Sequence, residues 1–124
     1  MNKQKVVAFD LDDVICFRPK GYEDLGPEKY LHCQPYQEMV ELVNSLYDDG
    51  HKIVIYTARG MNQFNGNIIE IYSKLYVQTN KQLNSWGVKY HQLIMGKIYY
   101  DILIDDKSIN SQNIDKETIV SFLK

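Results

Sequence analysis

Residues 5–11 read KVVAFDL and run straight into Asp12 and Asp13. The run is rich in β-branched and aromatic residues with no polar alternation, the pattern of a strand buried on both faces of a sheet. Working outward, the next run of this character is His51 to Thr57, with IVIY at its centre. Between the two, Met39, Leu42, Val43 and Leu46 recur at spacings of three and four, with Pro35 where a helix opens and Gly50 where it is capped. A helix between two such strands predicts parallel pairing through a crossover.

The pattern then repeats. Ile68, Tyr72, Leu75, Thr79, Leu83 and Trp86 step by three or four residues up to Gly87, which predicts a second, longer helix. Val88 to Ile94 and Asp101 to Ile104 read as two further strands, and Thr118 to Leu123 as a short last helix. This order predicts an α/β fold: a three-layer, Rossmann-like, mostly parallel sheet with helices on both faces. Two segments lack either period. Ala58 to Asn67 reads as a loop, and Asp12 to Gln34, with Pro19, Gly21, Gly26 and Pro27, reads as a loop or small flap.

At 124 residues, the chain suits one domain, residues 1–124, with the flap at about 13–34. With 44% hydrophobic and 24% charged residues and only seven Gly and three Pro, the composition excludes a disordered or repetitive chain. No apolar run exceeds four residues, so neither a membrane span nor a signal-peptide core is expected. A net charge of −2 without a Lys/Arg stripe argues against nucleic acid as a ligand. Cys16 and Cys33 form no CxxC pair, and reduced thiols in a cytoplasm are the expectation.

In parallel sheets, ligands sit beyond the carboxyl ends of the strands. The first strand ends in Asp10, Leu11, Asp12 and Asp13, the second in Thr57, Ala58 and Arg59, and the last in Asp105 and Asp106, with Lys97 shortly before it. Asp10 and Asp12 are two apart, so a strand that is just ending aims both carboxylates into one crevice. A divalent cation relieves their repulsion, and hard oxygens favour Mg²⁺. A carboxylate so placed can attack phosphorus, with Thr57 and Lys97 as the obvious donors to the phosphoryl oxygens. Each residue has a plainer reading as a turn, a cap or a solvated side chain, so the case rests on their joint placement.

These stretches resemble the motifs of the haloacid dehalogenase superfamily: VVAFDLDDVI its first, IVIYTAR its second, and GKIYYDILIDDKSI its third and fourth at close spacing. The resemblance covers nearly the whole chain. It implies a Rossmann-like fold, Mg²⁺, Asp10 as the nucleophile, and Asp12 as the acid for the leaving group and then the base for water. It further implies that Thr57 binds the phosphoryl group, that Lys97 holds Asp10 and the phosphate, that Asp105 anchors the metal with Asp106 beside it, and that the Asp12 carbonyl is a further metal ligand. The chain is too short for a cap domain, and it is similar to small phosphatases of capsular polysaccharide synthesis. The implied substrate is a small phosphorylated metabolite, with a sugar-linked capsule precursor as the candidate. Two features depart from the pattern: Asp13 stands where glycine is more usual, and Lys97 lies only eight positions before Asp105.

Other readings stand beside this one. A response-regulator receiver also carries an acidic pair, a Thr and a Lys, but needs an aspartate where the middle strand here ends in Thr57; an inert binding domain of the same fold is the other. Arg59 and Asn62 read either as phosphate or hydroxyl contacts or as solvated loop residues. The ten tyrosines suit a filled core or the interface of a homo-oligomer. The flap, with Tyr22 and Tyr30, is expected to close over the crevice in place of a cap.

Overall fold

The computed structural model describes residues 4–21 and 26–123. The elements in chain order are β1 (Val6–Asp10), β2 (Cys16–Phe17), a 3₁₀ turn (Gly26–His32), β3 (Gln34–Pro35), α1 (Gln37–Asp48), β4 (Lys52–Thr57), α2 (Ile68–Ile71), a π-helical turn (Tyr72–Tyr76), α3 (Val77–Ser85), β5 (Gln92–Met95), a second 3₁₀ turn (Ser111–Asn113) and α4 (Lys116–Phe122). The chain is an α/β protein with a Rossmann-like parallel sheet.

The sheet order is β1-β4-β5, and both pairings are parallel. Asp10 lies beside Tyr56, and Thr57 beside Met95, so the carboxyl ends of all three strands are level. Right-handed crossovers between strands laid down in one direction put α1 and the α2–α3 rod on the same face. On that face Phe9, Ile53, Ile55, Leu93 and Met95 are buried, and α1 adds Val40, Val43 and Leu46 at its threefold spacing.

Local chemistry sets the helix ends. Pro35 does not open α1; it pairs with Cys16 in the two-residue ladder of β2 and β3, and Tyr36 donates its N–H to the Ile15 carbonyl before the helix begins. Gly50, at φ 95°, closes the C-terminal side with its N–H on the Tyr47 carbonyl. The long second helix is a single rod interrupted by one π turn. It starts at Asn67, whose side chain accepts the Glu70 N–H.

Two expectations about the sheet are corrected. Residues 101–104 do not form a fourth strand: every residue from Asp101 to Ser108 is exposed, and among the described residues no backbone–backbone hydrogen bond involves residues 98–108. Only five residues, Gly96 to Tyr100, follow β5, whereas a parallel strand needs a crossover of about a dozen. As a result β1 is an edge strand and is buried on one face only; Val6 is 64% exposed and Ala8 is exposed as well.

The loop after Thr57 packs tightly on the second helix. Gly60 has φ 82°, and a Cβ there would stand 2.6 Å from Leu75 Cδ1. Gly60→Ala is expected to cost about 1–3 kcal/mol, because a left-handed backbone and a buried leucine must both give way. The check is a fall in the urea midpoint; an unchanged midpoint would mean that the loop repacks freely.

Candidate functional site

A cavity of about 350 Å³ opens at the carboxyl ends of β1 and β4, lined among others by Asp10, Asp12, Ala58, Arg59 and Lys97. Asp10 is the last residue of β1. Its Oδ1 accepts the N–H of Leu11 at 2.8 Å, and its Oδ2 faces Lys97 Nζ at 3.2 Å. Lys97 reaches it because its own N–H donates to the Thr57 carbonyl, which carries the β4–β5 ladder one step past Met95. Burial pushes the Lys97 ammonium down, but hydrogen bonding to Tyr100, the Asp10 charge and the bond to Asp10 outweigh it and hold the group above its ordinary value.

Asp12 lies just past the strand, where the chain reverses around the Leu11 carbonyl, which accepts from the N–H groups of Val14, Ile15 and Cys16. The turn needs Asp13 at φ 66°, a left-handed conformation that glycine adopts freely and aspartate tolerates. Asp12 is gripped by Arg59, with Nε on Oδ2 and Nη2 on Oδ1, both at 3.0 Å. The thiols of Cys16 and Cys33 lie on the same Oδ1 at 3.4 and 3.7 Å.

Arg59 lines the cavity, where the sequence places a candidate phosphate or hydroxyl contact, and it is not a solvated loop residue. Its side chain is buried, and Nη1 donates to Thr79 Oγ1 and Gln82 Oε1, while Nη2 also faces Cys16 Sγ at 3.6 Å. With Asp12, these partners match all five donors of a guanidinium. The group stacks on Tyr30, 4.8 Å from the ring centroid. Burial pushes Arg59 down, yet the charge and hydrogen bonds of Asp12 more than compensate and leave it above its usual value. Arg59 is therefore a clamp that orients Asp12.

Thr57 is also buried, and its Oγ1 accepts the Arg59 backbone N–H at 3.1 Å. Asp105 and Asp106 are not brought to the cavity. Both are exposed on the 101–108 segment, where Asp105 Oδ1 accepts the Lys107 N–H, a bond that stabilises the carboxylate and holds its pKa below the ordinary value. The Mg²⁺ donor set read from the sequence is thus incomplete within the described residues of one chain. Asp10 is present, the Asp12 carboxylate is held by Arg59 although its carbonyl, the ligand the resemblance implies, is not part of that clamp, and the late aspartates lie elsewhere. Asp12, Cys16 and Cys33 place one oxygen and two sulfurs within 4.8 Å of one another, but soft thiols and the adjoining Arg59 charge do not suit Mg²⁺.

Residues that the sequence reading did not single out as site residues complete the wall: Arg18, Lys29, Tyr99 and Tyr100. Burial, then the charge of Arg18, lowers Lys29. Tyr30 of the flap is buried, and its hydroxyl accepts the Gly60 N–H at 3.2 Å, tying flap to loop; Tyr22 lies outside the described residues. Desolvation raises the Tyr30 phenol, and hydrogen bonding raises Cys16 and lowers Cys33.

Neither a protein-family model nor a curated protein matches the chain. A crystal structure of an MCSG target from Vibrio cholerae is similar over 97% of both chains, with 23% identity and a TM-score of 0.78, a likeness of fold. Among the described residues no helix is long and apolar enough to cross a membrane.

Proposed function

We propose that this chain is a hydrolase of phosphomonoesters that acts through an aspartyl-phosphate on Asp10. The observation that carries the reading is the Asp10 carboxylate, fixed by the Leu11 N–H and Lys97 at the mouth of a cavity also lined by Arg18 and Lys29. A dianionic phosphate entering there meets positive charge on two sides, and Lys97 is placed to neutralise both the nucleophile and the transferred group. An Asp10 oxygen attacks phosphorus and the bond to the leaving oxygen breaks. Asp12, oriented by Arg59, enters this step protonated on one oxygen, which must leave its Arg59 hydrogen bond; it delivers that proton to the leaving oxygen and regains one from the water that releases phosphate. Ala58 lines the cavity at the phosphoryl position, and the role of Thr57 as a phosphoryl donor rests on the resemblance, since it lies buried behind the lining with its Oγ1 accepting the Arg59 N–H.

The resemblance to the haloacid dehalogenase superfamily supports the same chemistry and adds the finer parts of the proposal: dependence on Mg²⁺, a phosphorylated, sugar-linked metabolite of capsule synthesis, and a cytoplasmic setting in which Cys16 and Cys33 stay reduced. Release of phosphate from an aryl phosphate tests it. Turnover that requires added Mg²⁺ and is poorly restored by Ca²⁺ is expected. No release from any of a panel of phosphomonoesters, with the metal present, would refute the proposal.

A further inference from the structure

The chain carries a vacant sheet edge and an unused strand. The outer edge of β1 is unpaired among the described residues, and the side chains along it are exposed at Val6 and Ala8. Residues 101–105 read DILID, and Ile102, Leu103 and Ile104 are 76%, 47% and 91% exposed. Two isoleucines this open on a β-rich run, with no backbone partner, make a segment without the surface it was composed to cover.

The segment cannot reach the vacant edge of its own chain in the parallel sense. Lys97 is still in the β5 lane, held on the Thr57 carbonyl. The lane outside β1 is three strand spacings away, about 14 Å, and a parallel strand must start about 13 Å below the carboxyl ends, so the path is roughly 19 Å. The four residues from Lys97 to Asp101 span at most about 14 Å. Antiparallel entry would leave Asp105 at the wrong end of β1, about 13 Å from Asp10.

We infer that two copies of this chain exchange residues 101–105, each adding its segment as a parallel strand to the outer edge of β1 of the other. The pairing is self-complementary, because every copy owns one β1 edge and one such segment, so it closes as a twofold dimer. The side-chain pattern fits one register, Asp101 beside Val6 and Asp105 beside Asp10. Strands alternate, so Ile102 and Ile104 then fall on the face of Val7 and Phe9, the helix-covered one, while Leu103 joins Val6 and Ala8. The outer edge of β5 fits less well: it carries no exposed large apolar side chain and lies two strands from Asp10.

The exchange also accounts for the incomplete carboxylate set. In that register Asp105 of the partner subunit arrives level with Asp10, at the carboxyl end of the sheet, and brings the hard oxygens that one chain lacks. This part rests on the proposed hydrolase; the exchange itself rests on exposure, reach and register.

The tests separate the two. Sedimentation is expected to give about twice 14.5 kDa, and hydrogen exchange to show amides 101–105 protected in the dimer and open on dilution. Ile104→Lys should shift the equilibrium to monomer while the far-ultraviolet circular dichroism stays native. A monomer at all concentrations, or unprotected 101–105 amides, overturns the inference whether or not phosphate is released. For the site, Asp10→Asn and Asp105→Asn are each expected to be inactive. An equal mixture, refolded together, should regain about one quarter of wild-type activity, since half the dimers are mixed and one of their two sites is intact. No regain from two inactive variants overturns the shared site, as does full activity of Asp105→Asn beside an inactive Asp101→Asn. A protected dimer with no phosphatase activity would leave the exchange standing and defeat the proposed hydrolase.

Discussion

Asp10→Asn is expected to lower phosphate release about 10³-fold or more while the fold and the cavity persist. An asparagine oxygen still accepts the Leu11 N–H that holds Asp10 Oδ1 at 2.8 Å, so the end of β1 keeps its geometry. What disappears is the negative charge and with it the nucleophile, and the loss of a group that forms the covalent intermediate is of this order. The ion pair to Lys97 is lost as well. Asp10 keeps about a third of its side-chain exposure, 36%, so water screens the pair and its removal costs at most about 1 kcal/mol. The two effects separate cleanly: initial rates on an aryl phosphate should collapse, and the urea midpoint should barely move. Residual activity above about 1% would exclude Asp10 as the nucleophile.

What the sequence disclosed, and what it hid, divides along one physical line. Runs such as KVVAFDL and IVIYT, and the spacing of Val40, Val43 and Leu46, express local periodicity, which survives in one dimension. Asp10 was legible because it sits at a strand end, where topology brings residues together, and its pairing with Lys97 was legible through the motif resemblance. Arg59 was not. Its burial depends on Thr79 and Gln82, twenty and twenty-three positions away on α3, and on Tyr30 of the flap, and no local pattern announces that convergence. Asn67 with φ −73° and Asp13 with φ 66° show the same split: the cap is a local signal, while the left-handed aspartate follows from the turn that aims Asp12. The run DILID misled for a different reason. Its composition is that of a strand, but whether it pairs depends on the length of the connection before it, and the five residues between β5 and the run are too few.

Asp12→Ala should be the most destabilising single change in the site, at about 3 kcal/mol. Arg59 is only 2% exposed, and two of its hydrogen bonds, Nε and Nη2 at 3.0 Å, end on Asp12. Removing the carboxylate leaves a buried cation with Thr79, Gln82 and the Tyr30 ring but no counter-charge, and breaking a buried pair from one side costs roughly 3–5 kcal/mol. The lower end applies, because the Asp12 side chain keeps 33% exposure and water can enter from the cavity. Against a total stability of about 5–15 kcal/mol this is a large fraction. The mechanism is checked by the double variant. In Asp12→Ala/Arg59→Met no charge is stranded, so most of the lost stability should return even though one more native contact has gone. Chemical denaturation of the four proteins in the cycle gives the coupling directly. If the double variant is no more stable than Asp12→Ala alone, the loss comes from packing around the Leu11 turn, and the Arg59 clamp does not stabilise the site in the way argued.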